Sequence, residues 1–546
     1  MKAMAINLLA LGAVLVATSA GYAQKPDHHE HGHGRGLAKL GKVTFPVSCT
    51  PEAGRRFERA VAALHSFWWE EGAAAFSSVL EADSQCAMAY WGLAMNAWGN
   101  PFAGGPSGAA LASGAEAAQK AASGSAGTPR EDGFIAAVAA LYRDPDQAPN
   151  SVRLQAYADT MARLYRNFPK DTEVAIYYAL ALLATAPKTD TTFAQQKRAA
   201  AILNPLFARY PQHPGLAHYI IHSTDSPQLA HLGLAAARRY ARIAPAAPHA
   251  QHMPSHIFVR LGYWDETVAS NWASYRAGIA HAKVMGVPPA GEQLHALDYA
   301  VYGYLQRGED SAARATVATA QRLAILPGQT LVGDYNRTAM AARMSLETAD
   351  WARAARFPVA PPQGLGIPVM LTRFTRAIGA ARSGNPANAR TELAALDSIA
   401  LQLAERKEAY WSRIAAIKRD AARAWVKFAE GDTAGGLALA HTAADSEEVT
   451  DKHPATPGEL LPARELEADM LLGAGRYDEA SKAYRMTLAR EPRRARSTFG
   501  AARSAELAGD RKAAKAGYRE FLELMSRADG ERPELPMAKR FLALNR

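Results

Sequence analysis

Cysteine is nearly missing from this chain: two occur in 546 residues, Cys49 and Cys86. Two isolated cysteines make no frame for a cysteine-based metal site. Long apolar runs are missing as well. After the first two dozen residues no segment reaches the length of about eighteen apolar residues that a membrane-spanning helix needs. Concentrated positive charge is also absent. The formal net charge is +10, but the arginines are scattered along the chain and no dense basic block stands out. That excludes the focused electrostatic footprint of nucleic-acid binding. The alternating patterns of half-buried strands are missing, which argues against an α/β fold. So are a Ser-His-Asp order, a glycine-rich phosphate loop and a dinucleotide fingerprint.

What remains is an ordinary soluble balance, 49% apolar and 21% charged, in a chain too long for one compact core. Alanine dominates the apolar set, which suits helices packed closely together. Several domains or a repeat array are expected.

Residues 1–23 read as a secretory signal. Lys2 gives the positive start, Ile6–Ala17 is apolar apart from Asn7 and Gly12, and Gly21-Tyr22-Ala23 offers a small-residue cleavage site. No cysteine follows that site, so lipid attachment is not expected. A periplasmic or secreted location follows, with no membrane span in the mature chain. In an exported chain an even cysteine count favours a Cys49–Cys86 disulfide. Residues 24–48 begin as QKPDHHEHGHGRG, a flexible lead-in carrying His28, His29, His31 and His33. This tract is either a loose site for Cu(II), Ni(II) or Zn(II) or a solvated linker.

The most informative stretch is 214–266, PGLAHYIIHSTDSPQLAHLGLAAARRYARIAPAAPHAQHMPSHIFVRLGYWDE. His218 and His222 are four apart, and so are His252 and His256; the second pair follows the first by 34 residues at both positions. Residues four apart share a helix face. A period of 34 is that of a helix–turn–helix repeat.

Short turns between two helical patterns recur at LGYWDE 261–266, RGEDSAA 307–313, SGNPANA 383–389, EGDTAGG 430–436, AGRYDEA 474–480 and AGDRKAA 508–514. ETADWARAA at 347–355 fits with alanine in the glycine position. In 461–492, Gly475, Tyr477, Ala480, Tyr484, Leu488 and Pro492 stand in the order of the tetratricopeptide (TPR) repeat. On these residues the chain resembles the TPR superfamily over about 52–530. HSFWWEEGAAAF, CAMAYWGLAM and HMPSHIFVRLGYWDE look like a group of exported bacterial TPR proteins. The resemblance implies an all-α superhelical solenoid. Its segments would be N-terminal repeats at 49–213, a histidine-rich block at 214–330 and C-terminal repeats at 331–546.

In TPR proteins the first helix of each repeat lines the concave groove, mainly through its positions 2, 5, 9 and 12. Carried onto this chain, the resemblance implies inward positions for His249, His252 and His256, for His218, His222 and Asp225, and for His295, Asp298 and Tyr302. We expect a shared site of His218, His222, His252 and His256, with His249, His295 and Asp298 at its edge. Asp225, Tyr302 and Arg260 would line the ligand groove. Neutral imidazole suits Zn, Cu or Fe. Neither histidine pair holds the glutamate of HExxH, so metalloprotease chemistry is not indicated. Pro254 inside the first helix suggests a start near 253, which would leave His249 and His252 on a loop. Trp68, Trp69, Trp91 and Trp98 are expected to pack in the core. Glu465, Asp469, Lys418 and Trp425 are expected on a solvated face.

Two functions compete. One is a scaffold whose groove holds a protein or peptide partner or a small ligand. The other is a metal-dependent enzyme or metal carrier that uses the histidine cluster.

Overall fold

The turns marked in the sequence are where the helices reverse. In the computed structural model, helix Pro254–Leu261 gives way to Trp264–Met285, Gly291–Gln306 to Asp310–Gln321, and Thr330–Glu347 to Trp351–Ala355. The same happens from Ile367–Arg382 to Pro386–Glu405, Ala409–Ala429 to Thr433–Glu448, Ala463–Gly473 to Tyr477–Arg490, and Ala495–Leu507 to Arg511–Leu524. The structure describes residues 39–545 except 103, 125–126, 145–146, 188–189, 289–290, 326–329 and 362–363. No strand occurs among them. The fold is a TPR-like helical-repeat solenoid.

At six of these turns a glycine takes the left-handed conformation that ends a helix, from φ 69° at Gly262 to 93° at Gly431. Ala349 occupies the seventh at φ 55°, a conformation that costs a residue with a Cβ about 1 kcal/mol. Gly262 is doubly constrained, because a Cβ there would lie 2.3 Å from the Pro492 carbonyl oxygen.

The array begins with an extended segment. Of the stretch 24–48 expected as a flexible lead-in, residues 39–48 are ordered; 24–38, with the four tract histidines and the signal 1–23, lie outside the described residues. Phe45 is fully buried against Phe57, Trp91 and Phe134. Burying one such ring contributes roughly 1.5–3 kcal/mol. Ser48 donates through its backbone N–H to Glu131 Oε1 at 2.6 Å and through its hydroxyl to Oε2 at 2.7 Å. This order follows from the hydrophobic residues Leu40, Val43 and Phe45, all buried, which the polar composition upstream obscures. Cys49 and Cys86 form the expected disulfide, with Cα atoms 5.3 Å apart. Trp68, Trp91 and Trp98 are buried, as expected, and Trp69 packs at the core's edge.

One continuous core runs from Leu40 to Phe258 and a second from Tyr335 to Tyr484. Val259, Trp264, Tyr299, Tyr302 and Leu524 join distant repeats. There the array bends back on itself. Trp264 Nε1–H donates to the Arg493 carbonyl at 2.8 Å, and Arg493 Nη1 donates to the Gly262 carbonyl at 3.1 Å. The Asp529 N–H donates to the Gly308 carbonyl at 3.1 Å, and Arg532 is paired with Asp310. The face expected to be solvated is closed by ion pairs. Glu465 is buried and takes Arg494 and Arg496, Asp469 takes Arg496, and Lys418 pairs with Glu459. No described helix is long and apolar enough to cross a membrane.

Candidate metal centre

Three helical elements carry the histidines. Helix Pro214–Thr224 presents His218 and His222 one turn apart. His249 and His252 lie on the short helix Pro248–His252, which runs through Met253, at φ −52° and ψ −36°, into Pro254–Leu261 with His256. The expected loop before residue 253 is therefore helix. Pro254 lacks an N–H, so it interrupts the hydrogen-bond ladder at that point without ending the helical path. His295 comes from Gly291–Gln306.

The four paired histidines do not share a single set of mutually close ligand atoms. They divide into two triads, each completed by a histidine expected at the edge. His218, His222 and His249 form one, and His252, His256 and His295 the other; within each, the candidate ligand atoms lie within 4.8 Å of one another.

The second triad is braced from outside on every ring. His252 Nδ1–H donates to Asn271 Oδ1 at 2.6 Å. The Asn271 amide is itself fixed, because its Nδ2–H donates to the Thr267 carbonyl at 2.7 Å. His256 Nδ1–H donates to Asp225 Oδ2 at 2.8 Å, and His295 Nδ1–H donates to the Ala455 carbonyl at 3.1 Å. With each Nδ1 occupied as a donor, Nε2 carries the lone pair. The Nε2 atoms of His252 and His256 face one another at 3.0 Å. Two lone pairs at that distance repel unless a proton or a metal ion lies between them. Burial holds His252, His256 and His295 below the ordinary imidazole range and so opposes the proton. Tyr299 packs against all three rings, and its hydroxyl donates to the Thr456 carbonyl at 3.0 Å.

In the first triad His218 is fully buried, and its Nδ1–H donates to the His65 carbonyl at 2.6 Å. Its Nε2 lone pair meets His222 Nε2 at 3.1 Å and His249 Nε2 at 3.2 Å. Phe67 lies edge-on to His218 at 4.4 Å and stacks on His249, while Phe102 covers His222 at 4.3 Å. Burial lowers the basicity of His218 and His249 as well.

Asp225 and Arg260 sit at the site, but as supports. Asp225 caps the end of helix Pro214–Thr224. Arg260 donates through Nε to Asp225 Oδ1 at 2.9 Å and through Nη2 to Asp451 at 2.8 Å. Arg260 also lines a narrow cleft with Asp451, Lys452 and Glu491, whereas Asp225 is not part of its wall. Asp298 belongs to neither triad. It is fully buried with its Oδ1 3.6 Å from Arg343 Nε, and burial pushes its carboxyl up to about 6 despite that partner. It stands one helical turn before Tyr302, whose ring Arg343 also covers, and so faces Arg343 rather than the histidines. Tyr302 lines the same cleft, and its hydroxyl donates to Glu491 at 2.9 Å and accepts from Arg494 at 2.9 Å.

Sequence reasoning missed Asn271, Tyr299 and the segment 451–459. That segment supplies the Ala455 carbonyl, and Lys452 Nζ lies 3.7 Å from Asp225. It also missed a third group, His65, Glu173 and His213. Here Glu173 accepts from His65 Nε2–H at 3.0 Å and from His213 Nε2–H at 2.8 Å. The other nitrogens meet the Tyr219 hydroxyl and the Leu216 N–H. Every polar atom of this group has its partner, so it reads as a structural brace behind His218.

No protein-family model and no curated protein matches the chain. Among solved structures it is similar to yeast Tom70, with 11% identity, a TM-score of 0.33, and coverage of 90% of this chain and 96% of that one. It is also similar to the structure of Naa15/Naa10 bound to HypK-THB, with 10% identity, a TM-score of 0.24, and coverage of 90% and 96%. Scores this low carry no argument about chemistry.

Proposed function

We propose that this is an exported metalloprotein whose repeat array houses a resident Zn, Cu or Fe ion at His252, His256 and His295. One observation carries the reading: two Nε2 lone pairs face each other at 3.0 Å while both Nδ1 atoms are committed to other acceptors. Outer partners that fix tautomer and ring orientation are the usual support of a metal-bound imidazole. Asp225 lends negative charge without joining the ligand set. Three neutral imidazoles leave a coordination position open, the pattern of catalytic rather than structural sites. His252 and His256 are each only 3% exposed, so what reaches that position is small. Metal-dependent work on a small molecule fits better than carriage, which requires easy release. The disulfide agrees with export to an oxidising compartment.

The partner-binding reading retains support in one place. A cleft of about 670 Å³, lined by Arg314, Arg337, Arg353 and Arg356 beside Phe357 and Val359, lies away from the histidines. It suits an acidic segment of another protein.

The test uses the full chain with His28, His29, His31 and His33 replaced by alanine, so that the N-terminal tract contributes no metal. We expect bound metal after purification, or a rise in Tm with Zn(II), Cu(II) or Fe(II). Both effects should shrink in His252→Ala, His295→Ala protein. A chain with neither metal nor a response to any of the three ions refutes the reading.

A further inference from the structure

The two triads share a wall. His249 and His252 stand three residues apart on one five-residue helix, with ring centroids 6.3 Å apart. Residues at this spacing are neighbours on a helix face. His249 completes the first triad and His252 opens the second. Each triad therefore offers three imidazoles, and the two triads stand beside one another.

We infer that the six histidines form one dinuclear centre, with a metal ion in each triad and a small oxygen ligand bridging the pair. This rests on the metalloprotein reading above and extends it to a second ion.

Charge supports the bridge. Two divalent ions bring four positive charges, and six neutral imidazoles offset none of them. Among the described residues the carboxylate hydrogen-bonded to these rings is Asp225, which touches His256 from outside. Phe67 and Phe102 make the first triad's surroundings apolar. Uncompensated charge is expensive in such surroundings. A bridging hydroxide or other small oxyanion supplies part of the missing negative charge and fills both open positions. Two-metal sites place their ions about 3.5–4 Å apart, which suits such a bridge. Copper fits the ligand set best. An all-imidazole set disfavours Mg, Ca and Mn, which prefer oxygen ligands, and Cu(II) binds nitrogen sites most tightly of the divalent series. Paired iron and manganese sites in helical bundles are built on glutamates, which are absent from these triads.

The experiment titrates the metal-free full chain, with the four N-terminal tract histidines replaced by alanine, with Cu(II). We expect two copper ions per chain. The electron paramagnetic resonance spectrum should integrate to well under two spins per chain, because the neighbouring ions couple. His222→Ala, His249→Ala protein and His256→Ala, His295→Ala protein should each bind one copper and give one full spin. If a variant fails to fold by circular dichroism, the parent's stoichiometry and spin count still decide. One copper per chain overturns the paired centre and leaves the metalloprotein reading standing. Two coppers with a full count of two uncoupled spins also overturn the pairing. No copper at all overturns the paired centre, and if Zn(II) and Fe(II) also fail to bind, the metalloprotein reading falls with it.

Discussion

Glu173→Gln tests the brace behind His218 with little change in volume. Glu173 is 1% exposed and holds two imidazole N–H groups. Burial pushes its carboxyl up, but His213 and His65 outweigh burial and bring it down to about 2 from the ordinary 4.5. That difference corresponds to roughly 3 kcal/mol favouring the ionised form in the fold. A second route gives a similar size, since leaving a buried donor unpaired costs about 1–3 kcal/mol. Glutamine imitates the protonated acid, so the variant should lose about 3 kcal/mol at neutral pH. The sign with pH follows from the depressed value. The stabilisation is complete above pH 4.5 and drains away as pH falls toward 2. The gap between parent and variant should therefore narrow to roughly half or less of its neutral value at pH 3. Urea unfolding at pH 7 and pH 3 measures both values. A loss under about 1 kcal/mol at pH 7, or a gap that does not narrow on acidification, refutes the assignment of an ionised Glu173.

Ala349→Gly should stabilise the chain by about 1 kcal/mol, since Ala349 alone among the seven turns holds φ 55° with a Cβ; an unchanged or lower urea midpoint would count against it. Removing the disulfide with Cys49→Ala, Cys86→Ala should cost about 4 kcal/mol, from a sequence separation of 37. Two titratable thiols in native, non-reduced protein would contradict the bond itself. Asp225→Asn takes the charged acceptor from His256 and Arg260. Metal affinity should fall roughly 10–100-fold, the usual effect of losing an outer partner, while helical content stays the same. Competition titration with a chromophoric chelator reads it, and an unaltered Kd would remove Asp225 from the site.

Much of the fold was legible because it is local. A glycine ending one helix and an amphipathic run starting the next are neighbours in sequence, so all seven turns could be placed from composition. The paired histidines were legible for the same reason, as i, i+4 neighbours on one face. Their division into triads was not, because it depends on how successive helices rotate against each other. Asn271 gives no signal, being one polar residue on a long helix until His252 is set beside it. Ala455 gives still less, since the site uses only its backbone carbonyl, from 160 residues beyond His295. Glu465 and Asp469 were misread because their periodicity is that of a solvated face. Arginines from the repeats on either side, Arg382, Arg494 and Arg496, fill that face, and the local pattern does not show them.

The return of the array also sets a schedule for folding. An open solenoid can grow repeat by repeat, each unit needing only its neighbour. Here Trp264 meets Arg493 across a separation of 229 residues. Contacts of such long range form late, because the intervening chain must first be gathered in. The Ala455 carbonyl that orients His295 arrives with that late closure. During synthesis the first thousand ångströms or so of extended chain, at about 3.3 Å per residue, would emerge with every histidine of the two triads present and the second triad still unfinished. The pocket therefore acquires its full set of braces only after the C-terminal repeats have docked, and any ion it keeps is taken up by an almost completed molecule.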